Sequence, residues 1–121
     1  MSSKKTLVMG ASDNSSRYSY LAVQKLQQYG HPVVALGKKK TEVLGVSVTT
    51  EKLPFEDIDT VTLYLNPDNQ KEYYDYILSL RPKRVIFNPG TENPDFYRML
   101  EQNNIGYEVA CTLVLLGTNQ F

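Results

Sequence analysis

One cysteine, Cys111, and one histidine, His31, are all that this chain of 121 residues has of either type. A lone thiol closes no internal disulfide, so stability has to come from an apolar core. At this length, within the roughly 100–200 residues usual for one domain, such a core is attainable, and a single domain over residues 1–121 is expected. Net charge is also missing: 13 basic side chains balance 13 acidic ones. That excludes binding to a polyanion by bulk charge, and no nucleic-acid partner is expected without a local patch. With 41% hydrophobic residues the chain is not a disordered tail either. The longest apolar run, Leu113 to Leu116, is far short of the roughly 20 residues that cross a bilayer, so no membrane partner is expected. No charged start followed by an apolar stretch and a cleavage site is visible, which points to a cytoplasmic location. There is no metal-ligand cluster. His31 lies in a Gly30-His31-Pro32 turn ahead of a strand, at the end of the sheet away from any ligand, and Cys111 has no histidine partner in prospect. No catalytic residue is therefore assigned.

What is present is an alternation of short β-branched runs with amphipathic stretches, the pattern of βαβ units and a parallel sheet. Thr6 to Met9 is a strand ending at Gly10, followed by a polar loop and a helix with Tyr18, Leu21, Ala22, Leu26 and Tyr29 on one face, capped by Gly30. Pro32 to Leu36 is a second strand. Val43 to Val48 and Leu53 to Phe55 are weaker signals, a short strand or a loop around Gly45. Val61 to Leu65 is a third major strand, and Asn66-Pro67-Asp68 then gives an N-cap, a proline at the first helical position and a first-turn carboxylate. The helix that starts there runs through Tyr73, Tyr76, Ile77 and Leu80 and stops by Pro82. Val85 to Phe87 is a strand, Asn93-Pro94-Asp95 repeats the start signal, and Ile105 to Val109 is the last strand. Thr112 to Leu116 is a strand extension or a short helix; periodicity does not decide. The expected fold is α/β, a three-layer α/β/α Rossmann-like domain with a five-stranded parallel sheet in order 3-2-1-4-5.

In an open parallel sheet the ligand lies beyond the carboxyl ends of the strands, so the loops after the strands are the place to look. The first, Gly10-Ala11-Ser12-Asp13-Asn14-Ser15-Ser16-Arg17, presents backbone N–H groups and a helix start to an anion, and Arg17 offers a bidentate phosphate contact. It lacks the full Gly-x-Gly-x-x-Gly spacing, and a solvated loop with a serine helix cap is the plainer alternative. The second loop, Gly37-Lys38-Lys39-Lys40, has no carboxylate where dinucleotide folds read a ribose hydroxyl. Cations there favour a ribose carrying an extra phosphate, as in NADP or coenzyme A (CoA). Leu65-Asn66-Pro67 and Asn88-Pro89-Gly90-Thr91 give rigid backbone to line the rest of a cleft. The nine tyrosines fall mostly at helical spacing and read as packing rather than base stacking.

These residues resemble the stand-alone CoA-binding domains, related to the N-terminal domain of the alpha subunit of succinyl-CoA synthetase. The resemblance covers nearly the whole chain: Val8-Met9-Gly10-Ala11-Ser12 with Arg17-Tyr18-Ser19, then Glu42-Val43-Leu44-Gly45, Asn88-Pro89-Gly90 and Cys111. It implies that Gly10, Ala11, Ser12, Ser16 and Arg17 hold the diphosphate, that Gly37 and Lys38 approach the phosphorylated ribose, and that Leu65, Asn66 and Pro67 line the adenine or pantetheine path; Pro89 and Gly90 are expected in the cleft from their place in a loop after a strand. Many stand-alone members end the second strand with Asn-Pro where this chain has Gly37-Lys38, closer to the ligases; yet the ligases need further domains and a phosphorylatable histidine.

The expectation is a small CoA-binding protein, taking coenzyme A or an acyl-CoA as a nucleotide-type ligand without catalysis of its own. A small NADP-dependent reductase or subunit, and a protein-interaction module with a vestigial nucleotide site, are the alternatives. Apolar surface on the last segment would support a homodimer.

Overall fold

The computed structural model describes residues 3–121. The elements are β1 (Thr6–Met9), α1 (Tyr18–Gln28), β2 (Val33–Leu36), β3 (Thr41–Val43), β4 (Val46–Thr49), β5 (Thr60–Leu63), α2 (Pro67–Gln70), a 3-10 turn (Lys71–Tyr73), α3 (Tyr74–Leu80), β6 (Arg84–Phe87), α4 (Pro94–Gln102), β7 (Gly106–Val109) and α5 (Thr112–Gly117). They build an α/β Rossmann-like fold on a seven-stranded sheet in the order β3-β4-β2-β1-β5-β6-β7. All pairings are parallel except β3 with β4.

The five-stranded, all-parallel sheet in order 3-2-1-4-5 does not form. Residues 41–49 make two strands rather than one, an antiparallel hairpin turning at Leu44 and Gly45 with φ of 50° and 85°. Two consecutive positive φ values are what a type I′ hairpin turn requires. Through that hairpin β4 takes the place outside β2, with Ala35 opposite Val48. The Val61 strand, expected beside β2, pairs instead with β1, Thr6 opposite Thr60. Connections therefore leave β1 in opposite directions, and the switch in strand order that opens a crevice falls at β1 itself.

Apolar side chains cover both faces. Leu7, Met9, Val61, Leu63, Val85 and Phe87 pack on one side against Ile77 of α3 and Phe96 and Leu100 of α4. Val8, Ala35 and Val48 pack on the other against Val23 and Leu26 of α1 and Leu116 of α5. Central strands sandwiched this way are buried along their whole length, as β1 and β5 are. Part of the tyrosine content is packing: Phe87 meets Tyr97 and Tyr107 edge-on, and those two rings stack on each other at 4.5 Å. The buried face of α1 is Ser19, Ala22, Val23 and Leu26, so Tyr18 and Tyr29, expected on that face, are exposed. The helix expected from Pro67 to Pro82 is interrupted by the 3-10 turn. Thr112–Gly117 is helical, and Val109 and Val114 beside its start are exposed. Among the described residues, no helix is long and apolar enough to cross a membrane, and no group of His, Cys, Asp or Glu could hold a metal ion.

Candidate functional site

Three loops are drawn together over the end of β1. Gly10, at φ 89°, lets the chain turn so that its amide and that of Ala11 both donate to the Leu36 carbonyl, at 2.9 and 3.0 Å. A Cβ on Gly10 would sit 3.0 Å from the Tyr64 carbonyl oxygen, and one on Gly37 would meet the Ala11 carbonyl oxygen at 2.4 Å. Both glycines thus serve backbone-to-backbone closeness, which binds the ends of β1, β2 and β5 into one floor.

The amides of Gly10 and Ala11 are spent on that floor and do not form the expected cradle. Among the cleft-lining residues of the first loop and the helix start, the donors left over are those of Ser12 and Asp13, and of Tyr18 and Ser19 at the start of α1, which take no partner from the described residues. Nor does a serine cap this helix. Arg17 occupies the N-cap position without a side-chain cap bond, and the Ser16 hydroxyl donates to Asn14 Oδ1 at 2.7 Å. An eleven-residue helix with an uncapped start, whose first residues Tyr18 and Ser19 line a cleft, is receptive to an anion. Arg17 itself is exposed and forms no ion pair among the described residues.

Across the floor stands the second loop. Its three lysines have different surroundings: Lys39 Nζ is 3.0 Å from Asp13 Oδ2, Lys38 lines the cleft with no counter-ion among the described residues, and Lys40 lies outside it. Thr41 Oγ1 donates to the same Asp13 oxygen at 3.0 Å. The Lys39 and Thr41 hydrogen bonds hold the Asp13 carboxyl below its ordinary value.

The opposite wall comes from the loops after β5 and β6, held by a buried amide. Gln70 Nε2 donates to the Leu65 carbonyl at 2.8 Å and to the Thr91 carbonyl at 2.9 Å, and Gln70 Oε1 accepts from Asn93 Nδ2 at 2.9 Å. Below it, Asn88 Nδ2 donates to Thr62 Oγ1 and to the Leu63 carbonyl, while Asn88 Oδ1 accepts from the Thr112 amide at 2.8 Å. Thr62 and Thr112 bond to one another at 2.8 Å, and the neighbouring Tyr64 hydroxyl is buried without a hydrogen-bond partner among the described residues. Burial pushes that phenol up to about 12.

The loops enclose a cleft of about 830 Å³, room for a ligand of nucleotide size. Of the residues expected from sequence, Gly10, Ala11, Ser12, Ser16, Arg17, Lys38, Leu65, Asn66, Pro89 and Gly90 line it. Gly37 and Pro67 do not. Gly37 is buried against Ala11, and Pro67 is the first residue of α2, where its missing N–H costs nothing. The cleft also takes in Asp13, Tyr18, Ser19, Lys39, Thr41, Tyr64, Asn69 and Thr91, which sequence reasoning left out as site residues. Tyr18 is the most telling omission: counted there as core, it is 70% exposed at the rim. Its place one residue after an arginine that opens a helix was the available signal. His31 is remote, its Nδ1 accepting from the Lys4 amide at 2.9 Å near the other ends of the strands, and Cys111 is half-buried at the start of α5.

An open, mostly parallel sheet with an anion-receptive helix start over its switch point defines an α/β domain of the Rossmann-like class. The sequence pattern of the CoA binding domain family matches residues 4–117, and the chain belongs to that family. It is similar to the crystal structure of an uncharacterized protein at 50% identity, with all of each chain covered and a TM-score of 0.98. A hypothetical protein from Pyrococcus horikoshii OT3 is 26% identical, with 93% of this chain and 80% of that one covered and a TM-score of 0.83. A Thermus thermophilus protein shares the fold at 22% identity, with 98% and 91% covered and a TM-score of 0.85. Among curated proteins, none matches it.

Proposed function

We propose that this chain, as one domain over residues 1–121, is a cytoplasmic binding protein for coenzyme A or an acyl-CoA. The diphosphate would lie against the Ser12, Asp13, Tyr18 and Ser19 amides and Arg17, the phosphorylated ribose toward Lys38, and the adenine or pantetheine along Leu65, Asn66, Pro89 and Gly90. The observation that carries this reading is the pairing, in one cleft, of an uncapped helix start with two cations, Arg17 and Lys38, that form no ion pair among the described residues. Family membership supports the ligand class. A binding role without catalysis is favoured because the one histidine stands away from the cleft, hydrogen-bonded to the Lys4 amide.

Calorimetric titration with CoA, dephospho-CoA and NADPH tests the reading. CoA binds, and dephospho-CoA binds more weakly. Arg17→Met weakens both by about tenfold, the scale of one charge-assisted hydrogen bond of ~1.5 kcal/mol, whereas Lys38→Met removes a similar factor from CoA alone. Absence of binding by either CoA form at millimolar concentration defeats the proposal. Displacement of CoA by equimolar NADPH would favour the reductase alternative.

A further inference from the structure

Asp13 is out of place in a site for a polyanion. Its carboxylate lines the cleft beside the Ser12 amide, which takes no partner from the described residues, and it bridges the first loop to the second through Lys39 Nζ and to the start of β3 through Thr41 Oγ1, both at 3.0 Å. The contact joins residues far apart in sequence, 28 positions in the case of Thr41, so it is a feature of the assembled cleft and not of either loop alone. With both partners donating to it, the carboxyl is held below its usual range and is ionised at neutral pH. Lys38 and Lys39 are adjacent and line the same cleft, yet only Lys38 is uncommitted; Lys39 already has an internal anion.

Resting on the CoA reading above, we infer that Asp13 is a specificity-determining residue: it occupies Lys39, so that a single lysine is left to read the ribose phosphate. The Asp13 oxygen stands where a phosphate oxygen would otherwise be received by Lys39 and Thr41. A ligand with the extra phosphate has to compete with that carboxylate, and one lacking it leaves the clasp closed. The effect is to limit how strongly the protein prefers the phosphorylated ribose, letting CoA and its dephosphorylated form share the site more evenly than the three-lysine loop suggests.

The test reads the ratio of the dissociation constants of dephospho-CoA and CoA in the full chain, for wild type, Asp13→Asn, Lys39→Met and the double variant. Asp13 and Lys39 are both solvent-exposed, so the variants are expected to keep the fold, which melting curves check. Asp13→Asn raises the ratio by roughly three- to tenfold, as expected when one more cation engages a phosphate. Lys39→Met alone leaves it near the wild-type value, and the double variant returns it there. A ratio in Asp13→Asn within about twofold of wild type overturns the inference. So does a rise that persists in the double variant, because simple relief of carboxylate repulsion then accounts for it without Lys39. A fall in Lys39→Met matching that in Lys38→Met also overturns it, since Lys39 would already be reading the phosphate. Wild-type protein that binds neither ligand removes the CoA reading together with this inference, whereas the other three adverse outcomes strike the clasp alone.

Discussion

Gly37 shows how a residue can matter to a cleft it does not line. The sequence places it at the end of β2, next to Lys38, where the family resemblance brings it toward a ribose. In the folded chain it is buried, its amide donating to the Thr49 carbonyl at 2.9 Å and its α-carbon pressed under the Ala11 carbonyl. Replacement by alanine would put a methyl group 2.4 Å from backbone that has no flexible end to give way. Gly37→Ala should destabilise the protein by about 1–3 kcal/mol, the cost of overpacking, and weaken CoA by moving the first loop. Gly30→Ala is the control: nothing lies within 4 Å of a Cβ there, and only the positive φ of 81° is strained, at about 1 kcal/mol. Equal melting temperatures for Gly37→Ala and wild type would contradict the steric reading. A glycine at a strand end is visible in sequence; which backbone it allows to approach is not, because Ala11 reaches it only once β1 and β2 are paired.

Among the elements, the short α2 is where a local start signal and a long-range anchor meet. Asn66 caps it as the Asn-Pro-Asp pattern predicts, its Oδ1 accepting from the Asn69 amide at 2.9 Å, and Asn93 does the same for α4 with the Phe96 amide at 3.3 Å. Such caps are legible because their chemistry lies within four residues. Gln70 closes α2, and no spacing rule singled it out. Its three hydrogen bonds reach Leu65, Thr91 and Asn93, fixing the wall opposite the lysine loop. Gln70→Leu fills the same space but orphans the Leu65 and Thr91 carbonyls in a buried setting and leaves Asn93 Nδ2 with the Tyr74 hydroxyl alone. A loss of roughly 2–4 kcal/mol in urea unfolding is expected, together with weaker CoA binding. An unchanged midpoint would mean that the wall is held by packing alone. The ambiguity over residues 112–116 has the same origin: the Thr112 amide bonds to Asn88, 24 positions earlier, and this long-range anchor lies at the start of α5, where periodicity could not decide.

For the molecule as a whole, the single histidine offers a pH readout of global stability. His31 has its pKa lowered, first by burial and then by the charges of Lys4 and Arg84, with Asp59 opposing. The unfolded chain therefore takes up a proton at higher pH than the folded one. Stability should be full above about 6.5 and decline as pH falls from there toward the lower folded-state value. In melting curves between about pH 5 and 7.5, His31→Asn should flatten that decline; an identical slope in the variant would locate the proton elsewhere.

Layer architecture and the site's loops were legible because strand ends follow from hydrophobic runs, and parallel sheets bind ligands at those ends. The strand order was not. It depends on Leu44 and Gly45 turning a weak β signal into a hairpin, and on β5 choosing β1 over β2, a pairing between segments some fifty residues apart. The clasp of Asp13 on Lys39 was hidden for the same reason, since it exists only across two loops that the sheet brings together.

One last consequence concerns the order in which the parts are made. The apolar side of α1, with Val23 and Leu26, is covered in part by Leu116 of α5, near the far end of the chain. With synthesis running at roughly 5–20 residues per second, the first helix emerges several seconds before the segment that seals it. Throughout that interval the part of its greasy stripe that Leu116 covers is bare to the surroundings, and there the nascent protein is open to clumping with its neighbours.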